Sequence, residues 1–115
     1  MNEDFVPFEL AVKLQEKGFP QEDLVRYDEQ GKLYLGENNY GCAAPTIPQV
    51  LKWLREEKKL HIEVMFIRPL HNRVKYYITD TDGSRGDFMD VSDEHYETWE
   101  QATLAGIGYV LDNLI

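Results

Sequence analysis

TWEQATLAGIGYVLDNLI, residues 98–115 of this 115-residue chain, decides the fold. It opens as a capping box, in which the Thr98 hydroxyl accepts from the Gln101 amide while the Gln101 side chain reaches back to the Thr98 amide, so a helix starts here. Nearly every later position is apolar or small, which leaves too few polar residues for a solvated helix. At about 1.5 Å per residue the segment is short for a bilayer, and Glu100, Asp112 and Asn113 interrupt it. Burial against other elements of the same protein is the remaining solution. Ala102, Ala105, Gly106 and Gly108 carry so little volume that another backbone approaches closely; a sheet of the same domain is the simple neighbour, a helix-to-helix dimer seam the alternative.

Upstream, from Leu60, the hydrophobic period changes to two: Leu60, Ile62, Val64 and Phe66 face one way, and His61, Glu63 and Met65 the other. After a break at Pro69-Leu70-His71-Asn72 the chain returns over residues 73–79, with Val74, Tyr76 and Ile78 alternating against Arg73, Lys75 and Tyr77. This pattern predicts a hairpin with one apolar face and one solvated face. A shorter hairpin is predicted over residues 24–35, where LVRY and KLYL flank Asp28-Glu29-Gln30-Gly31. Residues 36–45 read as an irregular loop, and residues 80–97 as an acidic loop with one short extended piece at Phe88, Met89 and Val91.

Two more helices complete the inventory. Leu10, Ala11 and Leu14 recur on one face over residues 7–17, with Pro7 suited to the first turn, Gly18 to the left-handed C′ position and Pro20 to the stop. Thr46 opens a second capping box with Gln49, and Ile47, Val50, Leu51 and Leu54 follow at helical spacing to about Lys58. The order is α-β-β-α-β-β-α. Three helices on one face of a four-stranded antiparallel sheet, built from the two hairpins, would bury every apolar stripe, so the expectation is a two-layer α+β fold in one domain spanning residues 1–115.

Charge and cysteine content narrow the function classes. The net charge of −9 argues against direct nucleic-acid binding, which draws on a surplus of Lys and Arg. Residues 52–75 form a basic island of net +4 between segments of −5 and −8, which predicts surface pairing with the acidic loop or a patch for a partner. Cys42 is the only cysteine, so no disulfide forms within one chain, as suits a reducing compartment. The acidic N-terminus lacks the pattern of a standard signal peptide, which makes a cytoplasmic location the default.

Chemical motifs are few. Cys42 in the loop at 36–45 would serve as a nucleophile only with a histidine beside it to lower its pKa, and the spacing of His61, His71 and His95 provides none. The three histidines are isolated, with no second ligand at i+2, i+3 or i+4 apart from generic acids, which argues against a zinc site. Asp80-Thr81-Asp82-Gly83 starts like a calcium loop but has Arg85 where the turn glycine belongs and Val91 in place of the bidentate glutamate. Arg85-Gly86-Asp87 matches a three-residue integrin motif with no export signal. The reading is therefore no metal, no cofactor and no catalytic residue. Exposed Tyr, Arg and Met together favour binding, which singles out the outer face of the second hairpin (Met65, Arg73, Lys75, Tyr77) with Trp53 as a shoulder anchor.

The segments KLQEKGF, YDEQGKLYL, CAAPTIPQVLKWLREEKKLHIEV and YETWEQATLAGIGYVLDNLI resemble a family of small uncharacterised proteins from gut Bacteroidales, often encoded near phage or mobile elements. The resemblance covers most of the chain and is strongest at Cys42-x-Ala-Pro-Thr-x-x-x-Val-x-x-Trp-Leu-Arg-Glu and at the start of the last helix. It implies a shared fold and a mobile-element origin, and carries over no functional residue. The expected function is a small non-enzymatic intracellular module that binds another protein or itself and makes no contact with nucleic acid or membrane. The alternatives are an acidic nucleic-acid mimic, or an inhibitor of a nucleic-acid enzyme, and a cysteine enzyme using Cys42.

Overall fold

A computed structural model describes residues 5–21, 25–36, 41–67, 73–81, 89–92 and 94–115. The fold is α+β, with α1 (Phe8–Glu16), β1 (Val25–Tyr27), β2 (Leu33–Leu35), β3 (Cys42–Ala43), α2 (Ile47–Trp53), β4 (Leu60–Ile67), β5 (Arg73–Asp80), β6 (Met89–Val91) and α3 (Trp99–Asn113) in chain order. A π-helical turn, Leu54–Lys58, extends α2. The chain divides into two compact units, Met1–Val50 and Leu51–Ile115.

In the first unit the sheet order is β2-β1-β3, antiparallel throughout. The β1–β2 turn forms where expected: the Asp28 carboxylate accepts from the amides of Gln30 and Lys32, both at 2.9 Å, and Gly31 takes a φ of 84°. Such an Asx turn with a left-handed glycine closes a tight hairpin at little steric cost. The end of α1 also follows the sequence, since Gly18 has φ 95° and the Phe19 amide donates to the Leu14 carbonyl at 2.9 Å, which lets Phe19 fold back into the core. Pro7 stands at the N-cap, in extended conformation, one place earlier than expected. The loop expected at 36–45 is in part a strand, because Tyr27 pairs with Cys42 and Arg26 with Ala43. Two residues are too few to display a period of two, so no sequence pattern marks β3.

In the second unit the order is β4-β5-β6. The register runs without a bulge from Leu60↔Asp80 to Ile67↔Arg73, and burial alternates as the pattern requires: Val74, Tyr76 and Ile78 are buried, while Arg73, Lys75 and Tyr77 lie toward the other face. α3 packs on β4 and β5 and buries Ala102, Thr103, Gly106, Ile107, Val110 and Leu111. Its cap is the expected one at Thr98, whose Oγ1 accepts from the Gln101 amide at 3.0 Å; the Gln101 side chain reaches the Glu97 amide, one residue further back than the ideal box. Gly106 lies where a Cβ would stand 3.0 Å from Ile62 Cγ2 and 3.2 Å from Tyr76 Cγ, so the helix sits over the line between β4 and β5.

The single four-stranded sheet is not what forms. The two hairpins belong to separate three-stranded sheets, in which β3 pairs with the second edge of β1 and β6 with the second edge of β5. β3 comes from a segment that reads as loop, whereas β6 falls on the expected short extended piece at Met89 and Val91, and each gives backbone groups of its neighbour a partner. The helix expected to reach about Lys58 is α-helical only to Trp53 and then widens. The Lys59 amide donates to the Leu54 carbonyl, five residues back, and Lys59 leaves in a left-handed conformation with φ 61° and ψ 35°.

Candidate functional site

The solvated face of the β4–β5 hairpin is built by strand alternation: odd-numbered residues from His61 to Met65 and from Arg73 to Thr79 share one side. Register sets their neighbours. Glu63 stands opposite Tyr77, Met65 opposite Lys75, and His61 opposite Thr79. Four residues expected on the binding surface, Met65, Arg73, Lys75 and Tyr77, therefore lie on one face, with Met65 38% exposed and Arg73 exposed. Trp53, the fifth, ends α2, half-buried, with the Lys58 ammonium 5.3 Å from its ring centroid. That contact is a cation–π pair at the π turn.

Sequence reasoning missed the group that organises this face. Glu63 accepts from Tyr77 Oη at 2.9 Å and meets His61 Nε2 at 2.7 Å. The His61 bond, then the Tyr77 bond, hold the Glu63 carboxyl below its ordinary value, and the same bond to Glu63 holds the Tyr77 hydroxyl above its own. The i, i+2 spacing of His61 and Glu63 was legible as a shared face; the cross-strand tyrosine was not, since its position depends on the turn that sets the register.

A cavity of about 240 Å³ runs beside this face, lined by His61, Ile62, Glu63 and Val64 of β4 and by Trp99 and Thr103 of α3. Thr103 is 1% exposed, and among the described residues its hydroxyl has no hydrogen-bond partner. A buried hydroxyl left so costs on the order of 1–3 kcal/mol. Trp99, by contrast, is 46% exposed.

The first unit holds a larger, open hollow of about 400 Å³ between Phe8, Val12 and Gln15 of α1 and Asp28, Glu29 and Cys42. Cys42 is 3% exposed. Burial pushes its thiol up, against a smaller lowering by the Arg26 guanidinium, which is the reverse of what a thiolate nucleophile needs. Arg26 is itself buried and donates to the carbonyls of Gln21 at 2.9 Å and Gly41 at 3.3 Å, so it braces the backbone around β1 and β3. Tyr27 does the same from its other end, donating to the Val6 carbonyl at 2.6 Å.

His95 is exposed, while His71, the Asp82 and Gly83 of the calcium-like turn, and Arg85-Gly86-Asp87 lie outside the described residues. Among the described residues no three His, Cys, Asp or Glu side chains gather as metal ligands, and no helix is long and apolar enough to cross a membrane.

The fold is α+β, and the Glu63 carboxylate with its His61 and Tyr77 partners lies on the solvated face of the β4–β5 hairpin. No protein family, curated protein or solved structure compared with the chain matches it.

Proposed function

We propose that this chain is a non-enzymatic binding module that engages a protein through the outer face of β4 and β5. One observation carries the reading: the hairpin leaves Met65 and Arg73 exposed beside Lys75 and Tyr77, with the tyrosine hydroxyl and the Glu63 carboxylate already fixed by a mutual hydrogen bond. A pre-positioned tyrosine with a flexible methionine and an arginine is the composition that interface centres favour, because it offers large contact area at small cost in side-chain freedom. The buried, protonated thiol of Cys42 supports this over the cysteine-enzyme alternative. Capture of partners from the source cell by the full chain tests it. The double substitution Arg73→Ala with Tyr77→Ala is expected to abolish capture while the far-ultraviolet circular dichroism stays unchanged. Undiminished capture of every partner by the folded double variant refutes the placement.

A further inference from the structure

The hollow of about 240 Å³ beside α3 is lined by four consecutive residues of β4, His61 to Val64, together with Trp99 and Thr103. Successive side chains on a strand point to opposite faces, so a hollow that touches four in a row lies along the strand's edge. Each lining group therefore has a known side. Trp99 and Thr103 stand on the α3 side, the Glu63 carboxylate on the solvated side, and the backbone of β4 between them.

Hydrogen bonding identifies what that backbone offers. The Thr81 amide donates to the Lys59 carbonyl at 3.0 Å, and bonded pairs in an antiparallel ladder recur at every second residue. His61 and Glu63 therefore spend their backbone groups on β5, while the carbonyls of Ile62 and Val64 point away from it, where no described residue pairs with them. Ile62 is nearly sealed, so the half-buried Val64 supplies the accessible oxygen.

Charge narrows what the hollow takes. The bonds from His61 and then Tyr77 hold the Glu63 carboxyl below its ordinary value, so it is ionised at neutral pH. No lysine or arginine is among the lining residues. A carboxylate offers about four acceptor sites, and the two existing bonds take one at each oxygen. The fork of a guanidinium would compete with those bonds for both oxygens; an ammonium is a compact point charge and needs only one.

We infer that this hollow receives a lysine side chain of the partner protein, its ammonium between the Val64 carbonyl and the Glu63 carboxylate and its alkyl stem along the Trp99 ring. The inference rests on the binding-module reading and names the chemistry of the partner. Size agrees, because an ammonium alone would leave most of the hollow open, whereas a four-carbon stem fills it and covers an indole that is 46% exposed. The face of that indole attracts the cation as well. The same geometry already exists in the chain, where the Lys58 ammonium lies 5.3 Å from the Trp53 ring centroid. Thr103, at the floor, has a buried hydroxyl with no partner among the described residues, and the incoming ammonium gives it one. The net charge of −9 draws basic surfaces toward the chain from a distance.

The test is an NMR titration of the isotope-labelled full chain with Nα-acetyl-lysine methylamide, taken to about 50 mM, well above a millimolar dissociation constant. The Trp99 indole N–H and the amides of Glu63, Val64 and Met65 are expected to shift together along one saturating curve. The norleucine analogue of the probe, which lacks the ammonium, is expected to leave them in place. Glu63→Gln and Trp99→Ala, each checked for folding by circular dichroism, are expected to weaken the lysine probe about two- to fivefold. Thr103→Val is expected to weaken it too while raising the urea midpoint of the free chain, since it removes an unsatisfied buried hydroxyl. Equal shifts with the norleucine probe, tighter binding of the arginine analogue, or an affinity unmoved by both Glu63→Gln and Trp99→Ala overturns the inference. A hollow that ignores the lysine probe, in a chain that still loses its captured partner on Arg73→Ala with Tyr77→Ala, overturns the lysine alone and leaves the binding-module reading standing.

Discussion

Replacing Gly106 by alanine sets two effects of known size against each other. Inside a helix, alanine is favoured over glycine by about 1 kcal/mol, chiefly because the unfolded chain loses freedom. Against this, the new Cβ would stand 3.0 Å from Ile62 Cγ2, 3.2 Å from Tyr76 Cγ and 3.3 Å from Tyr76 Cδ1, where carbon atoms prefer roughly 3.5–4.0 Å. Neither neighbour yields easily: Ile62 is 6% exposed and Tyr76 7%, with the Tyr76 ring also stacked on Tyr96. Overpacking of a closed core costs typically about 1–3 kcal/mol. The crowding therefore outweighs the helix gain, and we expect Gly106→Ala to destabilise the protein by about 1 kcal/mol, on the midpoint of that range. Urea unfolding followed by circular dichroism reads this as a lower midpoint at unchanged slope. A variant stabilised by the full helix-propensity gain would refute the close approach of α3 to β4 and β5.

Gly41→Ala is expected to be far more damaging, with a loss above about 3 kcal/mol and faster exchange of the Ala44 amide, which donates to Val25, because a Cβ there would run into the Tyr27 carbonyl oxygen from a φ of 69°. Lys59→Gly relieves a left-handed lysine with φ 61° and is expected to stabilise by about 0.5–1 kcal/mol in the same urea assay, the relief of strain exceeding the added freedom of glycine in the unfolded chain. Tyr77→Phe removes one of the two bonds that hold the Glu63 carboxyl down. Since a depressed carboxylate stabilises the fold above its ordinary value of 4.5 and stops doing so as pH falls through its lowered value, the substitution should shift the Glu63 midpoint upward toward 4.5, as followed by carboxyl carbon NMR, and shrink the stability gained across that acidic window. An unmoved midpoint would show that the Tyr77 hydroxyl does not bind the carboxylate in solution.

Local rules were enough wherever a signal and its consequence lie within a few residues. The Thr98 cap, the Gly18 stop, the Asp28 turn and the alternation of β4 against β5 are each set by neighbours in sequence, and each appears in the structure. The face that carries Met65, Arg73, Lys75 and Tyr77 was legible for the same reason, because a period of two assigns sides without any knowledge of partners. What the chain by itself could not decide is which strand edges meet. The choice of β3 over the second hairpin as the neighbour of β1, and of β6 as the neighbour of β5, is made by backbone groups that every residue carries alike. The Glu63–Tyr77 bond depends in turn on the register that the β4–β5 turn sets, which no alternation of side chains specifies. Side-chain order fixed the elements and their faces, the one that carries the site among them; hydrogen bonding between distant stretches, blind to side-chain identity, fixed the sheets.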